Sequence, residues 1–314
     1  MFSKYKYVYA VYKEQNFTRA AESLFISQPS LSVAIKNIES EVGAPLFERC
    51  GGKVVPTEIG REYIAAAEQI MSAENNFKRK INDIYELESG SITVGGTNYL
   101  SSYVLPSIIT RFSSLHPSVE VNLVEANSQT LEKMTREEQI DIVVDSFDGI
   151  GEMYDGYPLV NERIFLCVPS SFKINEGMEK YRISPEAVRG GGDEIDTVPS
   201  VPIEHFENEN YILLKSGNDM HNRAMRIFNN HGISPKVLFS VDQLNISYAL
   251  AESGIGLCFV TDTLVRYVGM HGNVMLYNVG EGHCSRTLYV AYKRGRYCTR
   301  AMSEFVRIAK EIIG

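Results

Sequence analysis

Residues 17–49 read FTRAAESLFISQPSLSVAIKNIESEVGAPLFER. Within this stretch Leu31, Ile35, Ile38 and Val42 recur at i, i+4, i+7 and i+11, which is one apolar stripe of a helix. Ser27 is placed to cap that helix, Pro29 is tolerated in its first turn, and Gly43 is a natural left-handed terminator. Away from the stripe stand Ser30, Ser32, Val33, Lys36 and Asn37, which are short hydrogen-bonders, a methyl-bearing residue and a cation. That is the chemistry of a face that reads a DNA groove. Upstream, Tyr5, Val8, Tyr9 and Tyr12 keep helical spacing, and Thr18 is the expected N-cap of a short helix ending near Phe25. Downstream, Leu46–Arg49, a turn at Cys50-Gly51-Gly52 and Lys53–Val55 read as a β-hairpin with a glycine tip. Three helices and a hairpin predict a winged helix-turn-helix over residues 1–58; the alternative is a three-helix packing domain that binds nothing.

From Thr57 to about Leu87 there is no proline, so residues 59–89 are expected to form a single linker helix. Ile59, Tyr63, Ala66, Ile70, Ala73 and Phe77 follow a 4-3-4-3-4 spacing, and Ile81 and Ile84 continue it after a stutter. On spacing alone such a seam fits a helix packed on its own domain as well as a partner helix, and its place between two globular zones favours a homodimer.

The remaining residues, 90–314, alternate β-branched runs with helical stretches. Eight candidate strands open at Ser91, Val119, Ile140, Phe165, Tyr211, Val237, Gly256 and Thr287, and they imply parallel sheets flanked by helices, divided into two lobes. Lys173 to Val201, with Gly190-Gly191-Gly192 and nearby acids, reads as an irregular, mobile surface insertion.

With 44% apolar and 22% charged residues the chain of 314 is globular rather than disordered. It shows no run long enough for a membrane span and no signal-peptide pattern at its start, which predicts a cytoplasmic protein. Its net charge of −8 would disfavour a nucleic-acid partner. Yet residues 1–60 carry 7 basic and 6 acidic groups, so the acid is downstream. Five scattered cysteines form no C-x-x-C pair, arguing against a disulfide framework or a zinc knuckle.

The segment 17–49, with VVPTEIG after it, closely resembles the N-terminal domain of LysR-type transcriptional regulators. Phe17, Ala20, Ala21, Leu24, Ser27, Gln28, Pro29, Ser32, Ile35, Glu39, Gly43, Leu46, Phe47, Arg49, Thr57 and Gly60 stand in that family's order and spacing. Weaker landmarks, such as Asp141-Ile142-Val143 and Ala251 to Leu257, extend the resemblance along the whole chain. It implies an effector-binding domain of two periplasmic-binding-protein-like α/β lobes, lobe I at about 90–161 and 270–314 and lobe II at about 162–269. The chain would cross between them near Val160–Phe165 and again near Thr261–Asn278. It also implies a homotetramer. Two residues depart from the family: Val33 replaces a cation, which should alter the operator locally, and Pro56 replaces a Leu-like residue.

On this reading the DNA-contacting residues are Thr18, Ser27, Gln28, Pro29, Ser30, Ser32, Val33, Lys36, Arg49 and Lys53. Gln28 can pair with adenine, whereas Lys36 and Lys53 suit phosphate. Arg49 could reach the DNA backbone or lock the hairpin through a carboxylate. Doubly wound sheets bind ligands at the carboxyl ends of their strands, which nominates Thr97, Asn98, Ser101, Ser102, Asn127, Ser128 and Ser146 in the first lobe. In the second it nominates Lys215, Ser216, Gly217 and Thr261. Each hydroxyl could simply be a helix cap. Together they suit a small polar anion, such as a carboxylate or an amino acid, better than a flat apolar ring, with Lys215 either a counter-charge or a plain surface residue.

Three other functions compete. An enzyme would need a nucleophile, an acid-base pair or a metal set, and no H-E-x-x-H, G-x-S-x-G, P-loop or G-x-G-x-x-G pattern is present. Neither a cofactor nor a metal is expected. A solute-binding protein has no use for a reading helix. A redox-responsive regulator would need reactive cysteines, and Cys167 and Cys258 lie in apolar strand-like runs.

Overall fold

A computed structural model describes residues 4–51, 53–85, 90–146, 150–190, 194–269, 272–280 and 284–313. Several sequence readings therefore fall outside it: Gly52 at the hairpin tip, linker residues 86–89, Phe147, and Gly191 to Asp193. The side chain of Ile84, at the end of the seam, is outside it too. The chain divides into two compact units, Met1–Tyr85 and Glu86–Gly314.

The first unit packs α1 (Tyr5–Glu14), α2 (Phe17–Ser23) and α3 (Gln28–Val42) against a hairpin of β1 (Phe47–Cys50) and β2 (Lys53–Pro56), followed by α4 (Glu58–Tyr85). The cap of α2 is Asn16, not Thr18: its side chain accepts from the backbone N–H groups of Thr18 and Arg19 at 2.8 and 3.2 Å. Thr18 is the second residue of the helix, two positions too late to cap it. In α3 the Ser27 side chain accepts from Ser30 N, and Gly43 ends the helix at φ 83°. Leu31, Ile35 and Ile38 are buried with Val8, Val11, Ala20, Ala21, Leu46 and Val54 in one core. Gly60 is needed where α4 crosses the hairpin base, because a Cβ there would collide with the Leu46 carbonyl.

The helix α4 uses two faces. Ile64 and Ala67 are buried on the head side, and Ile64 joins the head's core. Of the sequence-derived seam, Tyr63 and Ile70 are half-buried, while Ile59, Ala66, Ala73, Phe77 (66% exposed) and Ile81 are exposed. Tyr63 packs on the head's core, and the exposed seam residues lie mainly beyond it.

The second unit runs β3 (Gly90–Gly96), a π-turn at Leu100–Val104, α5 (Leu105–Leu115), β4 (Val119–Glu125), α6 (Ser128–Arg136) and β5 (Ile142–Asp145). It continues through β6 (Tyr154–Pro169), β7 (Arg182–Ile183), α7 (Pro185–Gly190), α8 (Glu194–Thr197), β8 (Asn210–Leu214), α9 (Asp219–Asn230) and β9 (Lys236–Val241). It closes with α10 (Leu244–Glu252), β10 (Cys258–Thr261), α11 (Asp262–Val268), β11 (Val274–Tyr277), β12 (Ser285–Lys293) and α12 (Arg300–Ile313). In the first lobe β4, β3 and β5 run parallel, and β12 lies antiparallel to β5 and to the first half of β6. In the second, the other half of β6 pairs antiparallel with β10 and β11, and β8 pairs parallel with β9. The sheets are therefore mixed rather than all parallel, because strands that return to their lobe by reversal run the other way.

A single strand, β6, thus serves both lobes and carries the first crossing at Glu162–Arg163. The second crossing lies between β11 and β12, after Tyr277, so the second lobe does not stop near residue 269. Lys173–Val201 is built into that lobe rather than draped on it. Ile183, Ala187, Val188, Ile195 and Val201 are buried, and buried Asn175 donates to Pro169 O at 2.8 Å and accepts from the Tyr277 hydroxyl at 2.7 Å. None of the described helices is long and apolar enough to cross a membrane.

Candidate functional site

On the first unit, the face of α3 opposite its buried stripe is open. Ser27, Gln28, Pro29, Ser30, Val33, Lys36 and Asn37 are exposed and Ser32 is half-exposed. Two local bonds order this face: Gln28 Nε2 donates to Ser32 Oγ at 2.8 Å, and the Ser27 and Ser30 hydroxyls are 2.7 Å apart. A groove between α3 and the hairpin is lined by Gln28, Ser32, Lys36, Glu39 and Arg49, and Glu39 accepts from Leu46 N at 2.8 Å to fix the hairpin. Elsewhere on the head, cations are spent on neighbours: Lys4 pairs with Glu41 at 2.9 Å, Lys6 with Glu74 at 3.7 Å and Arg19 with Glu14 at 3.8 Å. Lys36, Arg49 and Lys53 are exposed and have no carboxylate partner among the described residues. Free charge is thus concentrated on α3 and the hairpin, and Arg49 does not lock the hairpin. Thr18 is exposed on the neighbouring turn.

On the second unit, a cavity of about 170 Å³ opens between the lobes. Thr97, Asn98, Asn127 and Ser128 line it, as nominated. The other nominated residues do different work. Ser101 and Ser102 hydroxyls donate to Gly96 O and Asn98 O, at 3.1 and 2.8 Å, because a hydroxyl in the first turns of a helical segment finds a carbonyl before it finds a ligand. Ser146 Oγ accepts from Arg223. Thr261 caps α11, its Oγ1 accepting from Leu264 N. Lys215 pairs with Asp242 at 2.7 Å in an exposed position. Ser216 does not line the cavity, and Gly217 instead bridges the lobes, its carbonyl accepting from Gln129 N at 3.0 Å.

What the sequence reading missed is charge. Tyr99, Glu125, Asp219 and Arg286 also line the cavity. Arg286, on β12, is buried and reaches in three directions: Nε donates to Glu162 at 2.7 Å, Nη1 to Asp219 at 2.9 Å and Nη2 to the Tyr99 hydroxyl at 2.5 Å. Tyr99 in turn donates to Glu162. This cluster joins the first lobe, the crossing strand and α9 of the second. Burial lowers the ease of charging Arg286, but the surrounding Tyr99, Glu162, Asp219 and Asp145 outweigh it and hold the guanidinium charged. Burial alone would raise Asp219, yet Arg286 and Arg223 pull its carboxyl below the usual range. Arg223 donates to Asp219 at 2.8 Å, to Ser285 O at 3.0 Å and to Ser146 Oγ at 3.3 Å, a second tie between lobes. The missed residues are scattered over a loop, three strands and a helix start, and a one-dimensional pattern gives no sign that the loop after β3 meets β4, β6, α9 and β12.

The comparisons with known proteins bear on both units. Residues 2–61 match the bacterial regulatory helix-turn-helix proteins of the lysR family, and residues 86–313 match the LysR substrate binding domain. The chain belongs to the LysR family of transcriptional regulators. It is 30% identical over 311 residues to the uncharacterized HTH-type transcriptional regulator YcgK of Bacillus subtilis (strain 168), covering 98% of this chain and 93% of that protein. Full-length BenM superimposes over 99% of this regulator and 96% of that chain, with a TM-score of 0.55 and 24% identity. CbnR bound to its target DNA does so over 99% of each chain, with a TM-score of 0.54 and 15% identity, a likeness of fold alone. The regulator therefore combines a DNA-binding head with an effector-binding domain, and its family consists of regulators rather than enzymes.

In this LysR-type regulator Cys167 and Cys258 face each other across β6 and β10. Both are fully buried, and burial pushes the Cys167 thiol well up, so it stays protonated and unreactive.

Proposed function

We propose that this regulator reads a two-fold related operator through α3 of two heads joined by their α4 seams, with Gln28 and its neighbours at base edges and Lys36, Arg49 and Lys53 on phosphate. A small polar effector seated between the lobes then changes their relative orientation and, through assembly into a homotetramer, the spacing of the heads on bent DNA. The observation that carries this reading is the coincidence of free cations with the open face of α3, on a head whose other cations are paired. The exposed seam residues Ile59, Ala66, Ala73, Phe77 and Ile81 support the dimer. A solute-binding role would leave that face without a use, and the buried, protonated Cys167 weighs against a redox role.

Nuclease footprinting of the full chain on its own upstream DNA tests this. Two protected half-sites should appear on one face of the duplex, separated by whole helical turns of about 10 base pairs. A shift with no preferred sequence, or a single unpaired half-site, would contradict it.

A further inference from the structure

The inter-lobe cavity also carries information about the class of effector, an inference that rests on the reading above. Among the described residues lining it, Arg286 is the one cation, and Glu162, Asp219 and Tyr99 take three of its five N–H donors. An anionic ligand would meet a guanidinium whose charge Glu162 and Asp219 already offset, on a wall that carries three carboxylates, Glu125, Asp219 and Asp242, against that one cation. Lys215 is not among the lining residues and pairs with Asp242, which is, so of its two sequence readings the surface one holds and it supplies no free counter-charge for an anion.

The unmatched groups are acceptors. Glu125, the last residue of β4, lines the cavity and has no partner among the described residues. Thr97 Oγ1 and Asn98 Oδ1, on the loop after β3, are buried without a hydrogen-bond partner, and so is Oδ2 of fully buried Asp145 beside Arg286. Buried acceptors left unmatched cost free energy that a donor can recover. Two helix starts on the cavity wall have no side-chain cap, α9 after Asn218 and α10 after Gln243; the first carries Asp219, which leaves α10 the better place for a carboxylate.

We propose that the effector carries a primary ammonium group, held by Glu125 and the Asn98 and Thr97 oxygens, with α-amino acids the members of that class able also to place a carboxylate at the start of α10. Acceptors surround the ammonium as hydration water would, and Glu125 supplies the opposite charge in a charge-assisted hydrogen bond at the cavity mouth.

Calorimetric titration and thermal melting of the full-length chain with three matched sets test this: free amines (the common L-amino acids, putrescine and spermidine), their N-acetylated forms, and the dicarboxylates succinate and maleate. A free amine should raise the melting temperature, its N-acetyl form should bind at least about tenfold more weakly, and Glu125→Arg should reduce the amine's affinity by a similar factor. Because Glu125 is exposed at a strand end, the melting temperature of the unliganded variant reports directly that it folds. If amino acids bind and putrescine and spermidine do not, the carboxylate position at α10 is supported as well. Binding confined to the dicarboxylates, binding of an amine that Glu125→Arg leaves unchanged, or no response to any free amine overturns the proposal. Dicarboxylate binding that altered operator affinity would leave the effector-controlled regulator standing and remove only the ammonium assignment.

Discussion

Asp145 ends β5 with its carboxyl group fully buried, and burial pushes its pKa from 3.8 up to about 6, against the opposing pull of Arg286, the Ser128 hydroxyl and the Ser146 N–H. Between those values the folded chain holds a proton that the unfolded chain has released. Its contribution to stability is therefore largest at low pH and falls as pH rises through about 4 to 6, by roughly 3 kcal/mol at 1.36 kcal/mol per unit. Asp145→Asn should remove that dependence and leave the second unit more stable at pH 7, which urea melts of both proteins at pH 4 and 7 would measure. Equal pH profiles would show that Asp145 is not held protonated. Arg286→Ala should act in the opposite direction: it strands Glu162 in the interior without its cation, a loss of about 3–5 kcal/mol that the same melts would detect.

At the scale of elements, the α4 seam carries the next prediction. Phe77→Asp places a charge where two helices would meet and touches no core of its own chain, since Phe77 is 66% exposed. Sedimentation should show dissociation to smaller species with the head still folded, and operator affinity should fall. The seam and the α3 stripe were legible in the sequence because each repeats at helical spacing and each is closed by chemistry local to it, Ser27 and Gly43 in the case of α3. The cap of α2 was misplaced because Thr18 and Asn16 are both competent and only the backbone decides between them. The first half of β6 was illegible for a different reason. Pro158 argues against a strand, yet the pairing tolerates the proline by a bulge at which Leu288 and Tyr289 of β12 face Val160 and Pro158. The insertion at 173–201 misled because its apolar residues are spaced irregularly and only tertiary burial reveals their use.

For the whole molecule, charge is the governing quantity. A chain of net charge −8 with a head of about even charge gains little from general attraction to DNA, so specific contacts and paired heads must supply the affinity. Scrambling one operator half-site should then weaken binding far more than the loss of half the base contacts implies, and adding salt should weaken it modestly. The cavity illustrates the same scale from the other side. Its hydroxyl and amide residues, Thr97, Asn98, Asn127 and Ser128, were legible as strand-end residues, whereas its acids and Arg286 come together only through the folding of two lobes around β6. The claim on which the account depends is that α3 selects the operator sequence, and a gel-shift comparison of wild type with Gln28→Ala on operator and mutated operators tests it most directly. The account predicts a loss of about 1–3 kcal/mol confined to the base pair that Gln28 reads in each half-site, with non-sequence-selective binding unchanged. Unaltered affinity and selectivity would contradict it.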